Sequence, residues 1–301
     1  MSEISEAAKE ESKKRGYKDI LYEVKDQVAW VSINRPRVMN AFREQTLDEL
    51  IHAFKSTRED PSIACAVVTG VGDKAFSAGG DFYAMKRLNW TNAAMWNDRM
   101  LGTAMAIRGI PIPVIAMVHG WCMGGGHELA LWCDLVIAAD DAMLGQSGAK
   151  VGACPTVGAT QYLPRIIGER LAREMIFLAR RFTGPEAEKI GLINKCVPKA
   201  DLLKETLAWC ENIKSNSAQT LRMTKKSLNH ESDQLYASWQ HGMELLAHVW
   251  GTEESLEGMN AFLENRKPDF QKFRMRNKKE LDEYLDGCAK DLNAPPHMRG
   301  A

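Results

Sequence analysis

An α/β core followed by a helical region is predicted by three features of this sequence. Short β-type runs alternate with segments of helical period from Ile20 to Ala139; strand patterns nearly stop beyond Thr156; and 45% of the 301 residues are hydrophobic, enough for a sizeable core. Alternating strands and helices argue for parallel pairing, since a parallel partner has to be reached by a crossover. No fixed-period repeat or low-complexity segment interrupts the order.

Taken in order, residues 1–17 are polar without an apolar period and read as a frayed or weakly helical arm. Ile20–Val24 and Val28–Ile33, separated by Lys25-Asp26-Gln27, read as a β-hairpin, with Val28, Trp30 and Ser32 alternating against Ala29, Val31 and Ile33. After Asn34-Arg35-Pro36, the spacing of Leu47, Leu50, Ile51 and Phe54 predicts a helix from Glu44 to Arg58, and Cys65–Thr69 is an apolar β-type run. The alternation returns as a helix from Ala93 to Arg108, a strand at Val114–Val118, a helix opening in Gly124-Gly125-Gly126 and a strand at Asp134–Ala139. Helices are then expected at 156–167, 169–180, 201–214, 217–229, 233–250 and 253–266, with one more strand at Ile193–Val197. The chain thus divides into an arm (1–17), an α/β core (18–200), a helical C-terminal region (201–273) and a charged tail (274–301) expected to be a surface helix with a loose end.

Thirty-nine basic residues cancel 39 acidic ones, so no broad field draws in nucleic acid or an anionic membrane. An anionic ligand has to be held by local groups. The absence of any run of roughly 18 apolar residues, a charged N-terminus where a signal peptide needs an apolar stretch, and a C-terminal Arg299-Gly300-Ala301 that is no peroxisomal address lead us to expect a cytoplasmic protein. Cys65, Cys122, Cys133, Cys154, Cys196, Cys210 and Cys288 show no CxxC spacing and no histidine at metal-ligand distance, so reduced, mostly buried thiols and no metal are expected.

Two glycine turns carry the chemistry. Gly70-Val71-Gly72-Asp73-Lys74-Ala75-Phe76-Ser77-Ala78-Gly79-Gly80-Asp81 follows a buried strand and is built of small residues that let a ligand approach the main chain. His119-Gly120-Trp121-Cys122-Met123-Gly124-Gly125-Gly126-His127-Glu128-Leu129-Ala130 runs from a strand end into a helix, where the first N–H groups are unpaired and the dipole favours negative charge. Two N–H donors converging from separate turns are what an enolate or tetrahedral oxyanion needs. Taken singly, each turn also reads as a plain tight strand-to-helix connection. Absence of GK[ST] excludes a P-loop, and GxGxxG is missing.

Asn34-Arg35-Pro36 with Asn40-Ala41, then Ala75 to Asp81, then Gly124 to Ala130 with Cys133-Asp134, and finally Gly184-Pro185-Glu186-Ala187 through Gly191-Leu192-Ile193, together resemble the ordered signature of the crotonase, or enoyl-CoA hydratase/isomerase, superfamily over about residues 20–273. The resemblance implies a crotonase (ClpP-like) spiral of ββα units with a helical C-terminal region, assembled as a homotrimer or dimer of trimers. It also implies an acyl-CoA thioester as substrate, with coenzyme A part of that substrate and no separate cofactor. By the same resemblance the N–H groups of Gly80 and Gly125 hold the thioester oxygen, Ala78 lies against the adenine, and Asp81 closes this substrate-binding turn. Phe262 matches an aromatic that reaches coenzyme A from a neighbouring subunit. The family's lysine three residues later is Asn265 here, so charge pairing would fall to Arg266, Lys267 or Arg37.

Side chains around the polarised thioester decide the reaction. Glu128, three residues after Gly125, matches the glutamate that handles a water or α-proton in hydratases of the family. Their second glutamate aligns with Gly148. The string Gly145-Gln146-Ser147-Gly148-Ala149-Lys150-Val151-Gly152 instead resembles dihydroxynaphthoyl-CoA synthases and hydrolases that open cyclic oxo-acyl-CoA rings, although Pro155 replaces an aspartate found in the synthases and in one class of hydrolase. In some synthases the glycine leaves room for bicarbonate, so a water or bicarbonate near Gly148, held by Gln146 and Ser147, is implied here. His127, His119 and Tyr162 read as packing or supporting residues, and Trp90, Trp96 and Met100 as lining the acyl pocket. Hydration of an α,β-unsaturated acyl-CoA is the favoured expectation; ring-opening carbon–carbon hydrolysis and a silent acyl-CoA-binding role are the alternatives.

Overall fold

The computed structural model describes residues 5–293. In chain order its strands are β1 (Ile20–Lys25), β2 (Val28–Ile33), β3 (Cys65–Gly70), β4 (Ala75–Ser77), β5 (Val114–Val118), β6 (Trp121–Met123), β7 (Leu135–Ala139), β8 (Met143–Gly145), β9 (Arg181–Thr183) and β10 (Lys195–Val197). The larger sheet has the order β1-β2-β3-β5-β7-β10 and the smaller β4-β6-β8-β9. Asp26 and Gln27 both adopt positive φ (50° and 63°), giving the two-residue turn whose twist suits the antiparallel β1–β2 hairpin. From β2 onward the larger sheet is parallel.

The helices are α1 (Glu6–Lys14), α2 (Glu44–Glu59), α3 (Phe82–Met85), α4 (Ala93–Gly109), α5 (Gly125–Trp132), α6 (Gly148–Val151), α7 (Ala159–Phe177), α8 (Gly184–Lys189), α9 (Leu202–Ser215), α10 (Ala218–Asp233), α11 (Tyr236–Val249), α12 (Glu253–Leu263) and α13 (Gln271–Asn293). Three successive strand pairs, β3/β4, β5/β6 and β7/β8, each send the first member to the larger sheet and the second to the smaller, and a helix follows each pair. This is the ββα spiral of the crotonase fold. Side-chain alternation along β3 builds two cores: Ala66 and Val68 face the smaller sheet's side, while Cys65 and Val67 pack with Leu202, Cys210 and Ile213 of α9. Both faces are therefore covered, as a central parallel sheet requires.

Asp134 anchors the edge of this core. Its Oδ2 accepts from Lys225 Nζ and from Val114 N, each at 2.7 Å, and Lys225 Nζ also donates to Ile112 O at 2.9 Å. Lys225 is buried whereas Asp134 keeps access to solvent, so Lys225→Met, which removes the ammonium from Asp134 and two carbonyls, should cost about 1–2 kcal/mol in urea unfolding.

Several expectations are corrected. The polar arm is a docked helix: Ser5 caps α1, Ser12 Oγ donates to Ala8 O and accepts from Tyr22 N at 2.8 Å, and the Arg15 guanidinium lies 4.5 Å from the Tyr22 ring centroid. Deleting residues 1–15 should lower stability by about 1–3 kcal/mol, because Tyr22 N loses its acceptor. The smaller sheet was not foreseen, since its strands have three residues each, below the length at which alternation reads as a strand. The two helices expected at 156–180 are segments of α7 meeting at Gly168, where φ is 79°. Of the cysteines, all free, Cys65, Cys122 and Cys210 are buried and the other four half-buried.

Candidate active site

Parallel pairing of β4 with β6 sets the two glycine turns side by side, because both strands leave the smaller sheet at the same end. A Cβ on Gly79 would stand 2.9 Å from Gly125 N. Asn40 frames the first turn: its Oδ1 accepts from Arg35 N at 3.0 Å and its Nδ2 donates to Val71 O and Ala75 O at 2.9 and 2.7 Å. Ser77 Oγ then donates to Asn40 O and accepts from Gly79 N. The Asn-Arg-Pro…Asn-Ala motif is thus the clamp of the turn.

Phe42 pairs with the same turn, its N donating to Gly79 O and its O accepting from Asp81 N, both at 2.8 Å. This bridge uses the residues flanking Gly80 and leaves the Gly80 N–H pointing away from it, with no acceptor among the described residues. Gly125 opens α5, and its N–H likewise has none. Both glycines line one pocket together with Ala78, Glu128, Gln146, Ser147 and Gly148. Its walls are apolar: Phe42, Met85, Trp96, Met100, Val157, Leu246 and Trp250. Neither glycine can carry a side chain in place, since a Cβ on Gly80 would strike Met85 Sδ and one on Gly125 would lie 2.5 Å from Phe42 Cζ.

Glu128 is the one carboxyl in the lining. Its Oε1 accepts from Val157 N at 2.9 Å and from Ala159 N at 3.4 Å, across a gap of about 30 residues that no spacing argument reveals. Burial pushes its pKa up to about 8, against the downward pull of those two N–H groups. It is therefore mainly protonated at neutral pH, a poised acid/base rather than a fixed charge.

At the Gly148 end, a Cβ would collide with Ala153 O, so backbone occupies the direction a second carboxylate would take. Any water or anion there has to lie toward Gln146 and Ser147. Gln146 Nε2 sits 3.0 Å from His127 Nδ1 and 3.4 Å from Gly124 O. Pro155, the position at which the resembling synthases carry an aspartate, lines the pocket beside Cys154.

Other expected residues fall outside the pocket. Asp81 spends one carboxylate oxygen capping α3 through Tyr83 N and the other on Arg35 Nη2 at 2.9 Å; it holds the turn and does not line the site. Phe262 is exposed and packs edge-on against Phe82, which does line the pocket, with ring centroids 4.9 Å apart. Trp90 is 77% exposed and no part of the pocket, whereas Trp96 and Met100 are. Arg266 is held by Glu257 and Glu264 in short ion pairs, which takes it from the candidates for pairing with coenzyme A. Tyr162 packs against Trp239, and His119 is fully buried, its pKa lowered to about 4 by burial and then Lys199. Among the described residues no cluster of His, Cys, Asp and Glu suits a metal ion.

A family model described as enoyl-CoA hydratase/isomerase matches residues 23–274. Similar solved structures include an enoyl-CoA hydratase from Mycobacterium avium subsp. paratuberculosis (25% identity, TM-score 0.77, 84% of this chain and 98% of that one). An enoyl-CoA hydratase from Bacillus anthracis is 32% identical, with a TM-score of 0.68 over 83% of this chain and 98% of that one. A monofunctional enoyl-CoA isomerase from M. smegmatis is 30% identical, with a TM-score of 0.62 over 71% and 94%. The motifs, the spiral and these likenesses agree: the chain belongs to the enoyl-CoA hydratase/isomerase family of the crotonase superfamily.

Proposed function

We propose that this protein adds water to an α,β-unsaturated acyl-CoA through an enolate. The thioester oxygen is held between the N–H groups of Gly80 and Gly125, where charge developing on it is stabilised by donors already in place. Ala78 borders the path of the coenzyme A. Glu128 takes a proton from water as oxygen adds to the β-carbon and returns that proton to the α-carbon, so one carboxylate serves both steps. The observation that carries this reading is the single buried carboxyl beside two unpaired N–H groups in one apolar pocket. Water, rather than a resident cofactor, is the co-reactant.

Trp96, Met100, Leu246 and Trp250 give the pocket an apolar wall against which the acyl group would pack. A homotrimer or dimer of trimers would set the exposed Phe262 against the coenzyme A of a neighbouring subunit; Phe262→Ala should then raise KM several-fold with kcat little changed. Among the described residues no helix is long and apolar enough to cross a membrane, which fits a cytoplasmic site of action. The test is mass spectrometry of products from linear, branched, aromatic and cyclic enoyl-CoA esters and a cyclic oxo-acyl-CoA. Gain of one water with the ring intact supports hydration. Ring opening of the oxo substrate supports the hydrolase reading, an unchanged mass with a moved double bond isomerisation, and calorimetric binding without turnover a silent member.

A further inference from the structure

Gln146 and His127 are both 1% exposed, and Gln146 also lines the pocket beside Gly148. The orientation of the Gln146 amide follows from what it faces. Gly124 O can only accept, so the atom 3.4 Å from it is the amide nitrogen. The same nitrogen lies 3.0 Å from His127 Nδ1, which must then accept, placing the ring's proton on Nε2. Burial favours this neutral ring, with its pKa lowered to about 4. Both amide hydrogens are thus committed to protein acceptors. Gln146 Oε1 makes no hydrogen bond among the described residues and is left as the amide's free atom at the pocket.

We propose that His127 is a positioning residue that locks Gln146 as a hydrogen-bond acceptor, making the Gly148 end of the pocket a site for a hydroxyl donor, the attacking water, and not for an anion such as bicarbonate. An acceptor oxygen attracts water or a product hydroxyl but repels an oxyanion, which would need the amide's N–H groups. The inference rests on the hydration reading for the identity of the donor, while the tautomer and the amide orientation stand without it. Gln146 fixes where the water sits, and Glu128 supplies the proton transfer.

Two measurements on the full chain test this. Long-range nitrogen–proton correlation spectra of histidine-labelled protein, assigned with His127→Phe, should show His127 as the neutral Nε2–H tautomer across neutral pH; an Nδ1–H tautomer overturns the lock whether or not the protein hydrates enoyl-CoA. In the hydration assay, His127→Phe should lower kcat about tenfold with KM within twofold, and His127→Gln, which restores an acceptor, should recover most of it. Equal loss in both variants would reduce His127 to packing and overturn its positioning role, as would full kcat in His127→Phe. Added sodium bicarbonate should leave the wild-type rate unchanged; a saturable activation would overturn the water site. Absence of wild-type hydration would sink the reading of the reaction, leaving the tautomer result to judge the lock.

Discussion

Glu128→Gln is expected to lower kcat/KM for enoyl-CoA hydration by about 10²–10⁴-fold while making the protein more stable. The glutamine keeps an oxygen for Val157 N and Ala159 N, so the loop and the pocket stay in place. The stability gain follows from linkage. A carboxyl at about 8 when folded, against 4.5 for an ordinary glutamate, holds a proton in the folded state that the unfolded chain releases. The folded state therefore binds more protons between those two values, and stability falls as pH rises through that window, levelling off above it. At neutral pH the cost is on the order of 3 kcal/mol, which the neutral amide escapes, raising Tm by roughly 5 °C. Thermal unfolding of both proteins at several pH values checks it. A destabilised variant, or one with full turnover, would contradict the assignment.

Gly125→Ala should cost about 10²-fold or more in kcat, the scale of losing one donor to the developing oxyanion. Substitution cannot delete a main-chain N–H, but it can move one. The new Cβ would lie 2.5 Å from Phe42 Cζ, and the Phe42 ring is 1% exposed, so the ring or the helix start has to shift. Adding Phe42→Leu relieves the contact, and because Phe42 holds the first turn by main-chain bonds alone, that frame survives. At least tenfold recovery of kcat in the double variant is expected from steady-state kinetics. Unaltered kcat in Gly125→Ala would remove this N–H from the mechanism.

The larger sheet was legible because its strands, apart from β10, are runs of five or six mostly apolar residues separated by a hairpin turn or by helical periods. The smaller sheet was not, although it brings the two glycine turns together; strands of three residues are too short to carry a period. The turns themselves were readable as donors, and the gap at Gly148 as a missing carboxylate. What fills that gap was not, because the Ala153 carbonyl, the Val157 and Ala159 N–H groups and the His127–Gln146 pair meet only through chain folding. Asp81 and Trp90 show the converse error. Each stands within a motif or segment near the pocket, yet one is spent on Arg35 and Tyr83 and the other faces solvent. Proximity along the chain placed them, and side-chain direction removed them.

One carboxylate that takes a proton from water and returns it to carbon must begin and end the cycle ionised. The pH dependence of wild-type kcat/KM across the neutral and mildly alkaline range therefore tests the one-carboxylate mechanism, since it reports the free enzyme. A single ascending limb with its midpoint near the Glu128 value of about 8, flat above, is the predicted profile. A bell, with a second group that must stay protonated, would show that another acid takes part and contradict the one-carboxylate mechanism.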